Sequence, residues 1–146
     1  MNARGTRLYL PQLGSLWDSL VPLAYPLARF IAGAVLIHHG YGKLFGGLAP
    51  VVATHVIAKL GIPDPLAVTY FLGFLEFFGG IAIAIGFLTR PVALALVIEF
   101  IVILRWLLPH GFNAAELSVL LFFLYVAILF GGGGLYSVDS AIGREF

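Results

Sequence analysis

The chain has 146 residues, of which 61% are hydrophobic and only 10% are charged, and its mean hydropathy is +1.05. A soluble domain of this length needs a charged surface, so the composition excludes a water-exposed globule and makes lipid part of the solvent. The formal net charge of +1 argues against nucleic acid as a partner, because phosphate binding needs clustered Lys and Arg. The absence of cysteine excludes disulfides, thiolate nucleophiles and thiolate metal sites.

The first 20 residues contain Arg4 and Arg7 near their start, but polar residues and a proline interrupt any apolar core, so the stretch does not resemble a cleaved signal peptide. Apolar residues at helical spacing follow at Leu13, Leu16, Trp17 and Leu20. This pattern predicts an interfacial segment, with Trp17 at the level of the lipid headgroups. A disordered tail is the alternative interpretation of the same residues.

Four segments are long and apolar enough to cross a hydrocarbon core of ~30 Å, which takes about 20 helical residues. They cover residues 21–45, 66–88, 91–108 and 112–131. Pro22 and Pro26 stand near the predicted start of the first segment, where proline is tolerated, and the glycine run at 131–134 ends the fourth. The predicted fold class is therefore all-α: a polytopic membrane protein with a four-transmembrane-helix bundle, formed by a single domain over residues 1–146.

The positive residues predict how the bundle is oriented. The side that holds the N-terminus carries Arg4, Arg7, Arg29, Arg90 and Arg144. The opposite side carries Lys43, Lys59 and Arg105. This bias predicts a multi-pass protein of a bacterial inner membrane with both termini in the cytoplasm. The connection at residues 46–65 is then the main extracytoplasmic loop.

Ionisable residues lie inside the predicted spans, where a charged side chain costs on the order of 3 kcal/mol. On the first helix, helical spacing places Arg29 and Lys43 on one face, with His39 at its edge. On the second helix, Glu76 shares a face with Gly73, Gly80, Ile83 and Phe87. On the third helix, Glu99 shares a face with Ala95, Ile103 and Trp106.

The rise of a helix places Glu76 roughly 15 Å and Glu99 roughly 12 Å from the points where their spans enter the membrane. Both carboxyls are thus predicted near its middle. We predict a ligand-binding set composed of Arg29, His39, Lys43, Glu76, Glu99, Arg105 and Glu116. Two interpretations remain open: the charges pair and fix the helix register, or they line a polar pocket that binds a small ligand or a quinone carbonyl. The pattern identifies no catalytic residue, and the spacing of the histidines predicts no metal or haem site.

Three segments together resemble the DoxX family of small four-helix membrane proteins. The segments are RFIAGAVLIHHGYGKL from Arg29, GFLEFFGGIAIAIGFLTRPVAL from Gly73, and HGFNAAE near residues 110–116 with the ending GGGGLYSVDSAIG. The resemblance implies a small membrane subunit in which Arg29, Lys43 and Glu76 are patterned polar positions. Glu99 lies outside the pattern. Members of this family are associated with thiosulfate:quinone oxidoreductase and with membrane complexes for oxidative-stress defence.

Two functional hypotheses follow from the residues and the resemblance. The first is a membrane subunit of a quinone-linked redox or oxidative-stress complex, with quinone as its cofactor and a soluble or membrane redox subunit as its partner. The second is a non-enzymatic membrane scaffold or small-solute carrier, in which the buried charges are structural or bind a solute. Both place the chain in the lipid bilayer, and both are compatible with a homo-oligomer.

Overall fold

A computed structural model of the chain describes residues 9–145, so Arg4 and Arg7 lie outside the described residues. The described residues form helices and turns, with no strand among them. The helices are α1 (Gly14–Leu44), α2 (Ala49–Val52), α3 (Pro65–Ile85), α4 (Thr89–Leu107), α5 (Phe112–Gly131) and α6 (Val138–Ala141). Within this part of the chain, α1, α3, α4 and α5 are the 4 helices long and apolar enough to cross a membrane. The prediction of an all-α protein with four spans is confirmed.

The first helix begins earlier than its predicted span. It starts at Gly14 instead of near residue 21, so Pro22 and Pro26 lie inside it. The part of the expected interfacial segment at residues 14–20 is therefore continuous with the span, and Trp17 in it remains 48% exposed. Membrane helices tolerate internal proline because neighbouring groups satisfy the carbonyls that the missing N–H leaves free.

The turn between α3 and α4 also differs from the prediction. Helix α3 ends at Ile85 and not near residue 88, because Gly86 and Leu88 both adopt the left-handed conformation, with φ of 72° and 48°. Phe87 consequently lies in the turn, and placing it on the helical face of Glu76 was wrong. The connection predicted as a loop at residues 46–65 contains a helical stretch, Ala49–Leu60, part of which packs against α3.

The antiparallel helices α1 and α3 touch at glycines. A Cβ atom built on Gly80 would lie 2.8 Å from the carbonyl oxygen of Gly33, and one on Gly40 would lie 2.7 Å from that of Gly73. Both distances are too short for a real side chain. Such close approach supports helix association in lipid, where no hydrophobic force drives the helices together. Gly33 and Gly40 therefore mark the face of α1 that packs on α3, and Gly73 and Gly80 mark the facing side of α3.

The outward surface of the bundle is apolar. Large side chains such as Phe71, Leu120 and Phe130 are 64%, 68% and 77% exposed. Hydrocarbon is the solvent that such a surface fits. The two ends of the bundle differ in their residues: we call the end that contains the α3–α4 turn the Arg29 end, and the end that contains Ala49–Leu60 and the α4–α5 turn the Lys59 end.

Candidate functional site

A buried ion pair joins α1 to α3. Nζ of Lys43 lies 2.5 Å from Oε1 of Glu76, and the two side chains are 13% and 4% exposed. The glycine contacts bring the helices close enough for this pair, since a Cβ on Gly73 would lie 2.9 Å from Cβ of Lys43. The pair partly neutralises two charges that would each be costly in hydrocarbon.

Glu99 of α4 is the second buried carboxyl. Its residue is 5% exposed, and neither of its carboxyl oxygens has a hydrogen-bond partner. Oε2 of Glu76 likewise has none. Glu99 lies close enough to Glu76 and to the Lys43 ammonium to interact electrostatically with both, so the structure brings these three predicted residues together. We call Glu76 and Glu99 the carboxyl pair.

An apolar cavity of about 360 Å³ lies against Glu99. It is bounded by α3, by α4 and by the helical stretch Ala49–Leu60, and its lining includes Ile57, Leu72 and Ala95. Phe71 and Ile98, which also line it, are 64% and 56% exposed on the outside of the bundle, so the cavity opens toward lipid. We call it the lipid-side cavity. Glu99 is the one ionisable residue in its lining.

A second cavity, of about 150 Å³, lies against Glu76. It is enclosed by α1, α4 and α5 together with Glu76 of α3, and its polar lining consists of His39, Lys43, Glu76 and Ser118. Ile103 lines both cavities and so separates them. His39 is exposed, and its Nδ1 lies 2.9 Å from the carbonyl oxygen of Val35.

Tyr125 of α5 is a neighbour of the carboxyl pair that the sequence did not reveal. It is fully buried, its hydroxyl donates a hydrogen bond of 2.9 Å to the carbonyl of Ala32, and its ring packs on Phe100. Tyr125 interacts electrostatically with Glu99 and Glu76. In the sequence, Tyr125 is an aromatic residue inside an apolar run, and nothing there predicts that it lies beside the carboxyl pair. Its position follows only from the fold.

Arg29 is buried elsewhere, at the other end of the bundle. Along α1 it lies roughly 21 Å from Lys43, at about 1.5 Å per residue. Its guanidinium donates to the carbonyl of Gly133 and, over 2.6 Å, to that of Tyr136. Arg29 thus binds the glycine-rich segment that follows α5, and it does not join the carboxyl pair.

Two further side chains hold that glycine-rich segment in place. The Tyr25 hydroxyl donates a hydrogen bond of 2.6 Å to the carbonyl of Gly132, and the Gly133 N–H donates one of 2.8 Å to Glu145. The glycine run ends α5 at Gly131, as predicted. The carbonyls of the same segment accept the hydrogen bonds of the buried Arg29 guanidinium.

Asp139 links α6 to the start of α4. Its carboxylate accepts hydrogen bonds from the N–H of Leu88, from the N–H of Thr89 and, over 2.7 Å, from the Thr89 hydroxyl. Burial opposes ionisation, but the bonds from Thr89 and Leu88 and the charge of Arg29 outweigh it and lower the pKa of Asp139. The ionised carboxylate therefore caps α4, a role with no signal in the local sequence.

The other predicted ligand residues lie apart from the carboxyl pair. Arg105 and Glu116 are exposed, and neither lines the lipid-side cavity or the second cavity. Of the predicted set, the structure thus brings together Lys43, Glu76 and Glu99, with His39 across the second cavity. Within residues 9–145, no three His, Asp or Glu side chains are grouped as metal ligands.

The arrangement of helices and polar positions agrees with a match to a known family. The family model described as DoxX matches residues 24–111, which is more than half of the chain. The chain belongs to the DoxX family. The matched DoxX region contains Arg29, Lys43, Glu76 and Glu99, whereas Glu116 and the glycine-rich segment lie beyond it. No curated protein and no solved structure matches the chain.

Proposed function

We propose that this DoxX protein is the membrane subunit of a quinone-linked redox complex and that it binds a quinone head group in the lipid-side cavity beside Glu99. The observation that carries the proposal is a buried carboxyl without a hydrogen-bond partner in an otherwise apolar cavity. Such a group is costly in hydrocarbon unless a ligand or another polar group satisfies it.

The residues of the lipid-side cavity fit a quinone. Its volume of about 360 Å³ is that of a small ligand pocket. A quinone ring carries carbonyl oxygens, to which a protonated Glu99 would donate a hydrogen bond, and the exposed Phe71 and Ile98 would contact its apolar chain. When bound, the quinone supplies two-electron, two-proton redox chemistry in the membrane phase.

The chain's own residues bind and orient the head group and exclude water from it. Leu72, Ala95 and the helical stretch Ala49–Leu60 line the cavity and would enclose the ring, while Glu99 would fix its orientation. Nearby, Lys43 holds Glu76 in place and provides the positive charge of the cluster. Electron transfer is assigned to a redox partner subunit, soluble or membrane-bound, since a chain without cysteine has no thiolate to hold an iron–sulfur cluster.

The proposal includes the bacterial inner membrane, with both termini in the cytoplasm. Among the described residues, Arg90 and Arg144 lie at the Arg29 end, and Lys59 and Arg105 lie toward the opposite end. This distribution of positive residues supports the proposed orientation. The Arg29 end then faces the cytoplasm, and the Lys59 end faces outward.

Replacing Glu99 by leucine is expected to reduce the quinone that co-purifies with the protein in mild detergent. Leucine fills the cavity wall but cannot donate a hydrogen bond, and a bond to a carboxyl group is worth about 1.5 kcal/mol, or about tenfold in affinity. Glu99→Gln retains an amide donor and should keep most of the quinone. The measurement is solvent extraction and chromatography of the purified protein.

The matched control is Glu116→Leu, because Glu116 is exposed and lines neither cavity. It should carry as much quinone as the unchanged protein. Finding no quinone in the unchanged protein, or equal amounts in Glu99→Leu and Glu116→Leu, would contradict the proposed site.

The second candidate function is a non-enzymatic scaffold or small-solute carrier. The Lys43–Glu76 pair favours it, because a buried ion pair can hold two helices together without taking part in any reaction. In a scaffold, Glu76→Gln lowers detergent stability and leaves every redox activity unchanged. Loss of quinone-dependent turnover at normal stability would count against this candidate.

A further inference from the structure

The carboxyl pair stands between two cavities of different character. Glu99 lines the lipid-side cavity, which is otherwise apolar, and Glu76 lines the second cavity, which is partly polar. Ile103 lines both cavities, so Glu99 and Glu76 border the same side chain, and the two carboxyls interact electrostatically with each other. A path between the cavities that can carry a proton therefore passes through Glu99 and Glu76 and bypasses the apolar side chain of Ile103.

The charge of the cluster requires one proton on the carboxyl pair. Two carboxyls share a single ammonium, that of Lys43, and an uncompensated carboxylate inside hydrocarbon is costly. One carboxyl is thus ionised and the other protonated. Because Lys43 interacts with both carboxyls, the negative charge can sit on either residue while the cluster as a whole stays neutral.

Proton transfer within the pair is balanced without any other reactant. When the two side chains turn to within hydrogen-bond distance, the O–H bond of the Glu99 carboxyl breaks as an O–H bond forms at Oε2 of Glu76, an oxygen that has no hydrogen-bond partner in the structure. The negative charge moves from Glu76 to Glu99, and no electrons are exchanged with a redox centre. Glu76 then passes the proton to water in the second cavity, and the reverse sequence reloads Glu99.

The second cavity can hold the water that this transfer needs. Its volume of about 150 Å³ exceeds the share of several water molecules, at about 30 Å³ each. His39, Lys43 and Ser118 offer them hydrogen-bonding groups. His39 lies near the end of α1 and is exposed, so the cavity leads toward the Lys59 end of the bundle.

Toward the Arg29 end the bundle interior is closed. Ile83, Leu96 and Ile128 are apolar and 0% exposed, and they pack together with Tyr125 in the core. The Tyr125 hydroxyl already donates to Ala32 and does not extend a polar path in that direction. Neither cavity includes a residue of this closed layer.

We propose that Glu99 and Glu76 form a proton-transfer pair that gives the lipid-side cavity access to protons from the Lys59 end of the bundle alone. The role of this pair rests on the proposed function, because a quinone bound in the lipid-side cavity would be the group that exchanges protons with Glu99. The geometry that carries it does not depend on the ligand. With the Lys59 end facing outward, protons are exchanged with the extracytoplasmic side.

The test is hydrogen–deuterium exchange of the Glu99 carboxyl, followed by infrared spectroscopy of the purified protein after transfer to heavy water. The carboxyl C=O band that disappears in Glu99→Gln belongs to Glu99, and its shift reports exchange. Ser118→Phe fills the second cavity and is expected to slow this exchange about tenfold or more. Ser118→Leu, a smaller change, should slow it less.

Leu120→Phe is the control, because Leu120 lies on the same helix but faces outward, 68% exposed. It should exchange like the unchanged protein. Exchange in both Ser118 variants as fast as in Leu120→Phe overturns the proposal, as does the absence of any protonated carboxyl band that Glu99→Gln removes.

Quinone extraction on the same preparations separates this proposal from the proposed function. Slow exchange in Ser118→Phe with quinone retained supports both. Slow exchange in a protein that never contained quinone supports the proton path and contradicts the quinone site. Fast exchange with quinone retained contradicts the path and leaves the quinone site supported.

Discussion

Arg29→Ala is expected to lower the free energy of unfolding by on the order of 3 kcal/mol. The substitution removes the donors to the carbonyls of Gly133 and Tyr136 and opens a space beside Gly86, where a Cβ atom would touch the guanidinium. Each buried carbonyl left without a partner costs about 1–3 kcal/mol. Removing the charge offsets little of this loss. In the unfolded state the helices are separated, and the Arg29 side chain extends so that its charge reaches the membrane surface, where it costs little free energy.

Arg29→Lys keeps the charge but has one ammonium in place of a planar group with several donors, so it should lose about half as much as alanine. The measurement is reversible unfolding in mixed micelles of a mild detergent and dodecyl sulfate. Arg105→Ala is the control, since Arg105 is exposed, and it should change stability by less than about 0.5 kcal/mol. An Arg29→Ala protein as stable as Arg105→Ala would show that the glycine-rich segment does not need Arg29.

Lys43→Met is expected to cost about 3 kcal/mol, because it leaves the carboxyl pair without a cation inside the membrane. Glu76→Gln should cost less, since the Lys43 ammonium can then turn to the nearby Glu99. The double variant should be more stable than the sum of the two losses predicts, by more than about 1 kcal/mol.

The same unfolding experiment measures all three variants. Additive losses would show that the 2.5 Å contact between Lys43 and Glu76 contributes no coupling energy. Equal losses in the two single variants would argue that Glu99 does not compensate for Glu76, and would weaken the description of these residues as one cluster.

The sequence predicted the spans well, because length and hydropathy alone determine which segments can cross a bilayer. Helix α5 lies at the predicted residues, and helical spacing correctly placed Arg29 and Lys43 on an inward face of α1. The start of α1 was missed because proline commonly begins a helix, and its tolerance inside a membrane helix depends on neighbours that the sequence does not show.

The site was also predicted only in part, because the sequence does not show which side chains become neighbours when the helices pack. The helical rise per residue predicted that Glu76 and Glu99 lie near the middle of the membrane. Which residue lies next to Glu99 depends on how α4 is rotated about its axis against α3, and in the structure that residue is Glu76 and not an arginine. Arg29 was grouped with these residues because it is charged and within the predicted span. The carbonyls of Gly133 and Tyr136, to which it donates, lie more than 100 positions away, and a weaker partner, the carbonyl of Ala84, lies 55 positions away; no local pattern reports such contacts.

A quinone site at Glu99 can be located by mapping where a photoreactive quinone analogue attaches to the protein in membranes. We expect attachment to residues that line the lipid-side cavity, such as Leu72, Leu75 and Val102, and we expect excess unmodified quinone to suppress it. Attachment spread over outward-facing residues such as Leu120 and Phe130, unaffected by competing quinone, would contradict it.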